Sequence, residues 1–529
     1  VSDHVPAEWA GRLETETRQP AASPRLLVTV RVPGLTVLAH PDPQRVGERV
    51  ALPELAAGRD SLLSRLEPQF SPPGSSVRRP LADPHLSRRP LRLASAPDGG
   101  LRLLRGDSTT AVTVDGEPLE QERALAAAAV QRGTVLLLGD RVALLLHPLD
   151  PAPPKGLPQH GLIGDSTALD ALREEIERAA GLAGPVLLRG ESGTGKELVA
   201  RALHAAGPRR AGPFLAVNLG AVPASLAAAE LFGASRGAYT GAERRDGYFV
   251  QAAGGTLFLD EIGETPVEIQ PLLLRALESG EIQPVGGAAP RRIDVRWIAA
   301  TDADLEAAVA AGRLRAPLLH RLSSYVIRLP PLRERRDDIG RLLLDFLRRE
   351  LAVLGKEDRL DDPGPDREPW LSAALVARLA AHDWSGNVRE LRNAARWIAV
   401  HGRDAVPAHL GAELEALLRP SPAALPAAGP PVERGSPRTA SDIADDELLA
   451  ALRASRWRLL PAAARLGISR TSLYKRIERS PHLRKAADLS ADEIRACFHR
   501  CGGDLDAMAE ALEVSRPGLE RRVRDLGLL

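Results

Sequence analysis

The stretch that most narrows what this chain can fold into is Gly190–Lys196, GESGTGK, with the phosphate-loop spacing G-x-x-x-x-G-K. Such a loop works only between a strand and a helix. Its glycines let backbone N–H groups close on phosphate oxygens, and its lysine reaches the β- and γ-phosphates. Both neighbours are present: Pro185–Leu188 reads as a buried strand, and Glu197–Ala206 reads as a helix whose N-terminus faces the phosphates. Glu197 stands where Ser or Thr ordinarily offers Mg²⁺ a hydroxyl. Roughly 60 residues on, the apolar run Thr256–Leu259 ends in Asp260-Glu261, carboxylates suited to metal positioning and water activation. Phe214–Val217, Thr256–Leu259, Val295–Ala299 and Tyr325–Leu329 alternate with helical patterns. The centre of the chain is therefore expected to be a parallel, helix-covered sheet with the loop at a strand's carboxyl end.

At 529 residues the chain is too long for one core, and three or four domains are expected. Its net charge of +1 makes any nucleic-acid surface local rather than global. Two cysteines, Cys497 and Cys501, exclude a disulfide framework and read as reduced thiols on a helix. No signal peptide and no apolar run of membrane-spanning length is evident, so the expectation is a soluble, cytoplasmic protein. The boundaries follow from composition. Residues 1–24 are a polar tail, 25–147 carry short strand patterns, and 148–160 are a proline-rich linker. Residues 161–340 form the α/β region, 341–412 a helical lid, and 413–443 a flexible linker rich in Pro, Ala and Ser. Within 25–147 the strand candidates are Leu26–Val32, Leu91–Ala94, Leu101–Leu104, Val112–Val114 and Val135–His147.

The C-terminus holds a repeat. Asp446-Glu447 with Leu466–Arg470 recurs as Asp492-Glu493 with Leu512–Arg516, an offset of about 46 residues, giving copies at 444–480 and 488–529. Each copy reads as a helix, an Ala-rich helix, a turn and a third helix, the helix-turn-helix pattern whose last helix enters the major groove of double-stranded DNA. Ser469, Arg470, Thr471, Ser472, Tyr474, Lys475 and Arg476 sit on or before the first copy's recognition helix, where Arg and Lys suit phosphates and guanine edges. The second copy carries Pro517, Glu513 and Glu520, and reads equally as a DNA binder or a packing unit.

Several segments together carry a family resemblance. These are GESGTGKE, ELFG (230–233), GAYTGA (237–242), GGTLFLDEI (254–262), LRAPLLHRL (314–322), LPPLRERRDDI (329–339) and WSGNVRELRN (384–393). They resemble the bacterial enhancer-binding proteins, AAA+ activators of sigma-54 RNA polymerase, over roughly residues 161–412. AARLGISRTSLYKRIE likewise resembles that family's Fis-type module. The resemblance implies ATP and Mg²⁺ bound by Gly190, Glu191, Ser192, Gly193, Thr194, Gly195, Lys196 and Glu197, with Arg389 as the lid's nucleotide sensor. It implies that Asp260 holds Mg²⁺ through water, that Glu261 polarises the attacking water, and that Asn218 holds Glu261 in check. Arg315 and Arg321 match paired arginine fingers, which would complete each site in trans within a hexameric ring, the inactive form being a dimer. Leu314 and Pro317 replace that segment's Phe and Asp. Thr301-Asp302 occupies the polar sensor position, with Asp where the family has Asn. Gly237, Ala238, Tyr239, Thr240, Gly241 and Ala242 match the loop that touches sigma-54.

Gly58-Arg59, His85–Arg89, Asp107–Thr109 and Val114–Gly116 resemble segments of forkhead-associated (FHA) domains. That resemblance implies an all-β sandwich that takes a phosphothreonine through Arg59, Ser87 and Arg88, the modification made by a serine/threonine kinase. Pro90 and Thr110 stand where that family has His and Asn. The expected fold class is thus a multidomain chain: an FHA-like all-β sandwich, an α/β AAA+ P-loop ATPase with an α-helical lid, and an all-α tandem helix-turn-helix. The expected function is sigma-54-dependent transcriptional activation. The alternative is a DNA-bound regulatory scaffold with weak ATPase activity that acts through FHA contacts.

Overall fold

The structure, a computed structural model, describes residues 31–151, 156–236, 245–287, 289–364, 367–408, 414, 415 and 418, and then 445–455, 457, 459–466, 473, 476–477, 488–501, 504–514 and 516–526. They divide into two compact units, within residues 1–421 and 422–529.

The first unit opens with ten strands: β1 (Val32–Ala39), β2 (Arg49–Ala51), β3 (Ser61–Leu63), β4 (Leu91–Ser95), β5 (Leu101–Leu104), β6 (Val112–Val114), β7 (Glu117–Pro118), β8 (Glu122–Leu125), β9 (Thr134–Leu138) and β10 (Val142–Leu149). They pair as two antiparallel sheets, β2-β1-β10-β9-β6-β7 and β3-β4-β5-β8, over one apolar core. The smaller sheet alternates: Leu91, Leu93, Leu101 and Leu103 are buried while Arg92 and Arg102 are exposed, so one of its faces meets water. Val135–His147 resolves into a hairpin around Gly139-Asp140, both with positive φ. The expected strand Leu26–Val32 is displaced. Its residues 26–30 lie outside the described residues, and β1 runs on from Val32 through Pro33 and Gly34. Those two read as strand breakers, yet Pro33 sits next to the strand's start, where its missing N–H is tolerated. Gly34 lets the neighbouring strands close in, because a Cβ there would meet Val50 O at 2.7 Å.

The central sheet contains β11 (Val186–Arg189), β12 (Phe214–Asn218), β13 (Thr256–Asp260), β16 (Arg296–Thr301) and β17 (Tyr325–Arg328); a short hairpin, β14 (Glu281–Ile282) with β15 (Arg291–Arg292), lies outside it. All five strands are parallel, in the order β12-β13-β16-β11-β17. Both faces are apolar and covered: Leu187, Leu257 and Leu259 enter one core, and Val186, Leu188 and Phe258 the other. Helix Thr167–Ala180 starts where Ser166 Oγ accepts from Leu169 N at 3.2 Å. Buried Arg296 donates to Leu203 O at 3.0 Å and Ala179 O at 2.6 Å, tying together the carboxyl ends of helices Lys196–Ala206 and Thr167–Ala180.

The lid is formed by helices Ile339–Val353, Ala373–Ala381 and Asn387–Gly402 around the fully buried Trp384. Its core does not end with the lid. Leu38 and Ala39 of β1, Val135 and Leu137 of β9, and Ala143 and Leu145 of β10 are buried in the same cluster as Ile339, Leu343, Val376 and Leu379. The six-stranded sheet is therefore covered on both faces. Gly340 makes the approach possible, since a Cβ there would come within 2.4 Å of Leu38 O. Polar contacts follow the same seam: Arg336 donates to Gly133 O at 2.6 Å, Arg49 to Asp165 O at 3.0 Å, and Arg341 pairs with the Asp165 carboxylate.

The second unit contains helices Asp445–Ala454, Leu459–Leu466, Ala491–Arg500, Leu505–Leu512 and Arg516–Asp525 around two small apolar cores. Ser490 and Glu493 form a capping box at the start of Ala491–Arg500. Cys497 and Cys501 are free thiols with Sγ atoms 3.8 Å apart. Among the described residues, no helix is long and apolar enough to cross a membrane.

Candidate nucleotide site

β11 ends at Arg189 and the chain turns through Gly190–Gly195 into helix Lys196–Ala206. Gly193 and Gly195 take φ of +80° and +105°, where a side chain is strained. At Gly193 a Cβ would also come within 2.2 Å of Gly386 O. Lys196 is buried, and its Nζ donates to Gly190 O at 3.0 Å, so the loop curls around its own ammonium. Among the described residues the N–H groups of Gly193 and Gly195 have no protein acceptor. A curled backbone with open donors, a buried cation and a helix N-terminus fits nucleotide phosphates.

Every residue from Glu191 to Thr194 is held by the lid or by the segment leading into it. Arg333 donates to both carboxylate oxygens of Glu191, at 2.8 and 2.6 Å, and Asn387 Nδ2 adds a third bond at 3.1 Å. The Arg333 bonds first, then that of Asn387, hold the Glu191 carboxyl down at about 2. Ser192 O accepts from Asn387 Nδ2 at 3.0 Å, and Ser192 Oγ accepts from Arg389 Nη1 at 3.0 Å. Gly193 O accepts from Val388 N at 3.0 Å, and Thr194 O from Arg335 Nη2 at 3.4 Å. Asn387 is the centre of this clasp: it is fully buried at φ +53°, and its Oδ1 accepts from Leu332 N at 2.8 Å.

Across the cleft stand the carboxylates. Asp260 ends β13 directly opposite Asn218 of β12. Glu261 follows with φ +54°, a strained position for a residue with a side chain, and its N–H donates to Asp260 Oδ1 at 3.1 Å. Burial pushes the Glu261 carboxyl above its usual range. The negative charge of Asp302 and a hydrogen bond with it push the same way, Asp260 adds to this, and Lys196 opposes it. Thr301 ends β16; its hydroxyl accepts from Ala303 N at 3.0 Å, and its carbonyl accepts from Gly190 N at 3.2 Å. Asp302, exposed, is the residue beyond β16 whose charge acts on Glu261 at the end of β13. Among the described residues no group of three or more His, Cys, Asp or Glu could hold a metal by itself. A magnesium site here fits one carboxylate, Asp260, shared with substrate phosphates.

The other expected residues fall in several places. Glu197 pairs along the helix surface with Arg201 at 2.7 Å. Arg315 caps the start of helix Ala316–Leu322 and Arg321 lies in its last turn, both exposed and without an ion pair among the described residues. Gly237, Ala238, Tyr239, Thr240, Gly241 and Ala242 lie outside the described residues, as do Ser469, Arg470, Thr471, Ser472, Tyr474 and Lys475. Arg476 is described and pairs with Asp445 at 2.5 Å. Ser87 N donates to Thr110 Oγ1 at 2.8 Å, and Ser87 Oγ accepts from Arg89 N at 3.0 Å, while Arg59 and Arg88 are exposed. No side-chain contact joins Arg59 to Ser87 among the described residues. Sequence reasoning missed Arg333, Arg335 and Asn387, although each lies inside a segment that carried the family resemblance.

Comparison with known proteins accounts for this arrangement. The sigma-54 interaction domain matches residues 162–328, the AAA+ ATPase lid domain 333–421, and the bacterial regulatory protein, Fis family, 442–479. The chain is similar to the DNA-binding transcriptional regulator NtrC of Salmonella typhimurium, 46% identical over 273 residues, 51% of this chain and 56% of that protein. It is 41% identical to NtrC of a Bradyrhizobium species over 341 residues, 60% of this chain and 68% of the relative. To NtrC of Azospirillum brasilense it is 40% identical over 391 residues, 71% and 73% of the two chains. It spans about half the length of the first curated relatives it matches. Among solved structures, NtrX from Brucella abortus in complex with ATP is similar at 30% identity over 69% of each chain, with a TM-score of 0.44. From the matched domains and the extent of these relatives, the chain belongs to the NtrC family of sigma-54-dependent, enhancer-binding transcriptional regulators.

Proposed function

We propose that the chain hydrolyses ATP to remodel sigma-54 RNA polymerase, acting in the cytoplasm as a hexameric ring that is a dimer when inactive. The observation that carries this reading is the loop curled around Lys196, held by the lid's Arg389 through Ser192, with Asp260 and Lys196 both acting on the Glu261 carboxyl. Lys196 neutralises phosphate charge, and Asp260 would hold a Mg²⁺ ion, which would supply charge neutralisation for the transferring phosphoryl group. Glu261 polarises the attacking water, and Asn218, opposite Asp260, restrains it. Arg389 couples the lid to the loop through Ser192. Arg315 and Arg321, both exposed, reach the γ-phosphate of a neighbouring copy and complete its site in trans.

The loop Gly237–Ala242 carries the work to sigma-54, with Thr240 at the contact. The first helix-turn-helix copy anchors the ring on double-stranded DNA upstream of promoters through Ser469, Arg470, Thr471, Ser472, Tyr474 and Lys475. The two-sheet region acts as an FHA-like sensor in which Arg59, Ser87 and Arg88 receive the phosphothreonine of a partner protein. Asp302 favours a second reading, a DNA-bound scaffold with weak ATPase activity, because it raises the Glu261 carboxyl.

ATP hydrolysis measured across protein concentration, with sigma-54 and an ADP–metal fluoride mimic, tests both. Turnover that rises steeply with concentration, and a trapped complex abolished by Thr240→Ala, is expected. Negligible hydrolysis, or trapping indifferent to Thr240, would replace the activator with the scaffold.

A further inference from the structure

The second C-terminal copy, residues 488–529, lies beyond the Fis-family match, which ends at residue 479. Its architecture repeats the first copy closely. Helix starts at 445 and 459 recur at 491 and 505, an offset of 46 in both cases. The cores correspond at the same offset: Leu448 with Ile494, Ala462 with Met508, Leu473 with Leu519, and Ile477 with Val523. Helix Arg516–Asp525 therefore takes the place that the repeat's sequence gives to a recognition helix.

One substitution changes the chemistry of that helix. In the first copy Arg476 is occupied by Asp445 at 2.5 Å. In the second copy Arg522 takes the place of Arg476, but Ala491 takes the place of Asp445. Arg522 has no carboxylate partner among the described residues, and its Nε is buried without a hydrogen-bond acceptor. The half-buried side chain thus carries a positive charge with no protein counter-charge among the described residues, which an external anion would compensate. Arg524, mostly exposed, makes only an i,i+4 surface pair with Glu520 at 3.2 Å, weak enough for a phosphate to displace. The copy is also held to its neighbour. Arg453 of the first copy makes two bonds, 2.7 and 3.1 Å, to Glu513, which occupies the second copy's turn at φ +52°.

We propose that the second copy is a further DNA-contacting head, in which Arg522 and Arg524 take backbone phosphates of duplex DNA. This rests on the first copy being a DNA-binding module. The Arg453–Glu513 pair joins the two copies at the surface, and one protomer then meets the duplex with two helices.

The test is the salt dependence of binding by the full chain to a mixed-sequence duplex, followed by fluorescence anisotropy. Arg522→Ala/Arg524→Ala should flatten the slope of log K against log[salt] by about 0.9 for each phosphate no longer neutralised. Arg522→Lys/Arg524→Lys should restore it. Arg524→Ala alone, on an exposed site that leaves the core intact, should flatten it by about half as much. An unchanged slope in Arg524→Ala and in a double variant with normal helical circular dichroism overturns the proposal. So does an unchanged slope accompanied by altered self-association in sedimentation, which would make the copy an interface between protomers. Lys475→Ala separates the two readings: if it flattens the slope while the second-copy variants do not, only the second head fails. If none of them matters, DNA binding by the first copy fails as well.

Discussion

The two walls of the nucleotide cleft are built on opposite principles. The phosphate-loop wall is satisfied wherever it meets the lid: Glu191, Ser192, Gly193 and Thr194 each have a partner on or beside the lid, and the one charged group among them is neutralised by Arg333. The N–H groups of Gly193 and Gly195 are left open among the described residues. The strand-end wall is frustrated, with Asp260, Glu261 and Asp302 gathered together and Lys196 the cation that opposes their repulsion at Glu261. A satisfied wall is fixed in shape, and a frustrated one gains from an arriving cation. The contrast assigns binding geometry to the first and chemistry to the second.

The largest break in this contrast should come from Lys196→Ala, which removes the cation both walls use. ATP turnover should fall about 10²–10³-fold or more, read in a steady-state assay. Asn387→Ala comes next, because it orphans the buried Leu332 N–H and unclasps two loop residues. We expect a loss of about 1–3 kcal/mol in thermal unfolding and a KM for ATP that rises more than kcat falls. Asp302→Asn acts on the frustrated wall alone. If Glu261 polarises water as proposed, it must be ionised, and its raised pKa places the acid limb of the activity profile above the ordinary carboxylate value of 4.5. Removing the Asp302 charge should move that limb to lower pH. The stability sign agrees: with its folded pKa raised, the Glu261 contribution is complete below the unfolded pKa and lost as pH rises through the folded one, leaving the ionised group a liability at neutral pH, so Asp302→Asn should melt slightly higher. A limb that stays in place would remove Asp302 from the mechanism. The smallest effect belongs to Glu191→Gln. The pair with Arg333 is nearly half exposed, so about 0.2–1 kcal/mol is expected. Because the Glu191 pKa is depressed, that contribution is complete above about 4.5 and fades as pH falls toward about 2. Melting curves of the two proteins should therefore converge in acid.

What could be read in advance divides along physical lines. The strand ends at Arg189, Asn218 and Asp260 were legible because hydrophobic period and motif spacing coincide there. Arg333 and Asn387 were not, because their role depends on where the lid folds back, across more than 140 positions of chain. Asp302 was legible as a departure, but its contact with Glu261 needed the register of β13 against β16. The burial of β9 on both faces had a signal that went unused: Thr134–Leu138 does not alternate, and an unbroken apolar strand marks a sheet with two covers.

That strand has a consequence for signalling. A sheet with two covers has no outside, and parting it from the lid would bare Leu38, Leu137 and Leu145 to water at about 1.5–3 kcal/mol per leucine. A ligand docking elsewhere on the two-sheet region cannot simply lift such a sheet away. Any stimulus that acts through it must either bring a fresh greasy surface to lie against those leucines, or leave sheet and lid together and turn them as one piece.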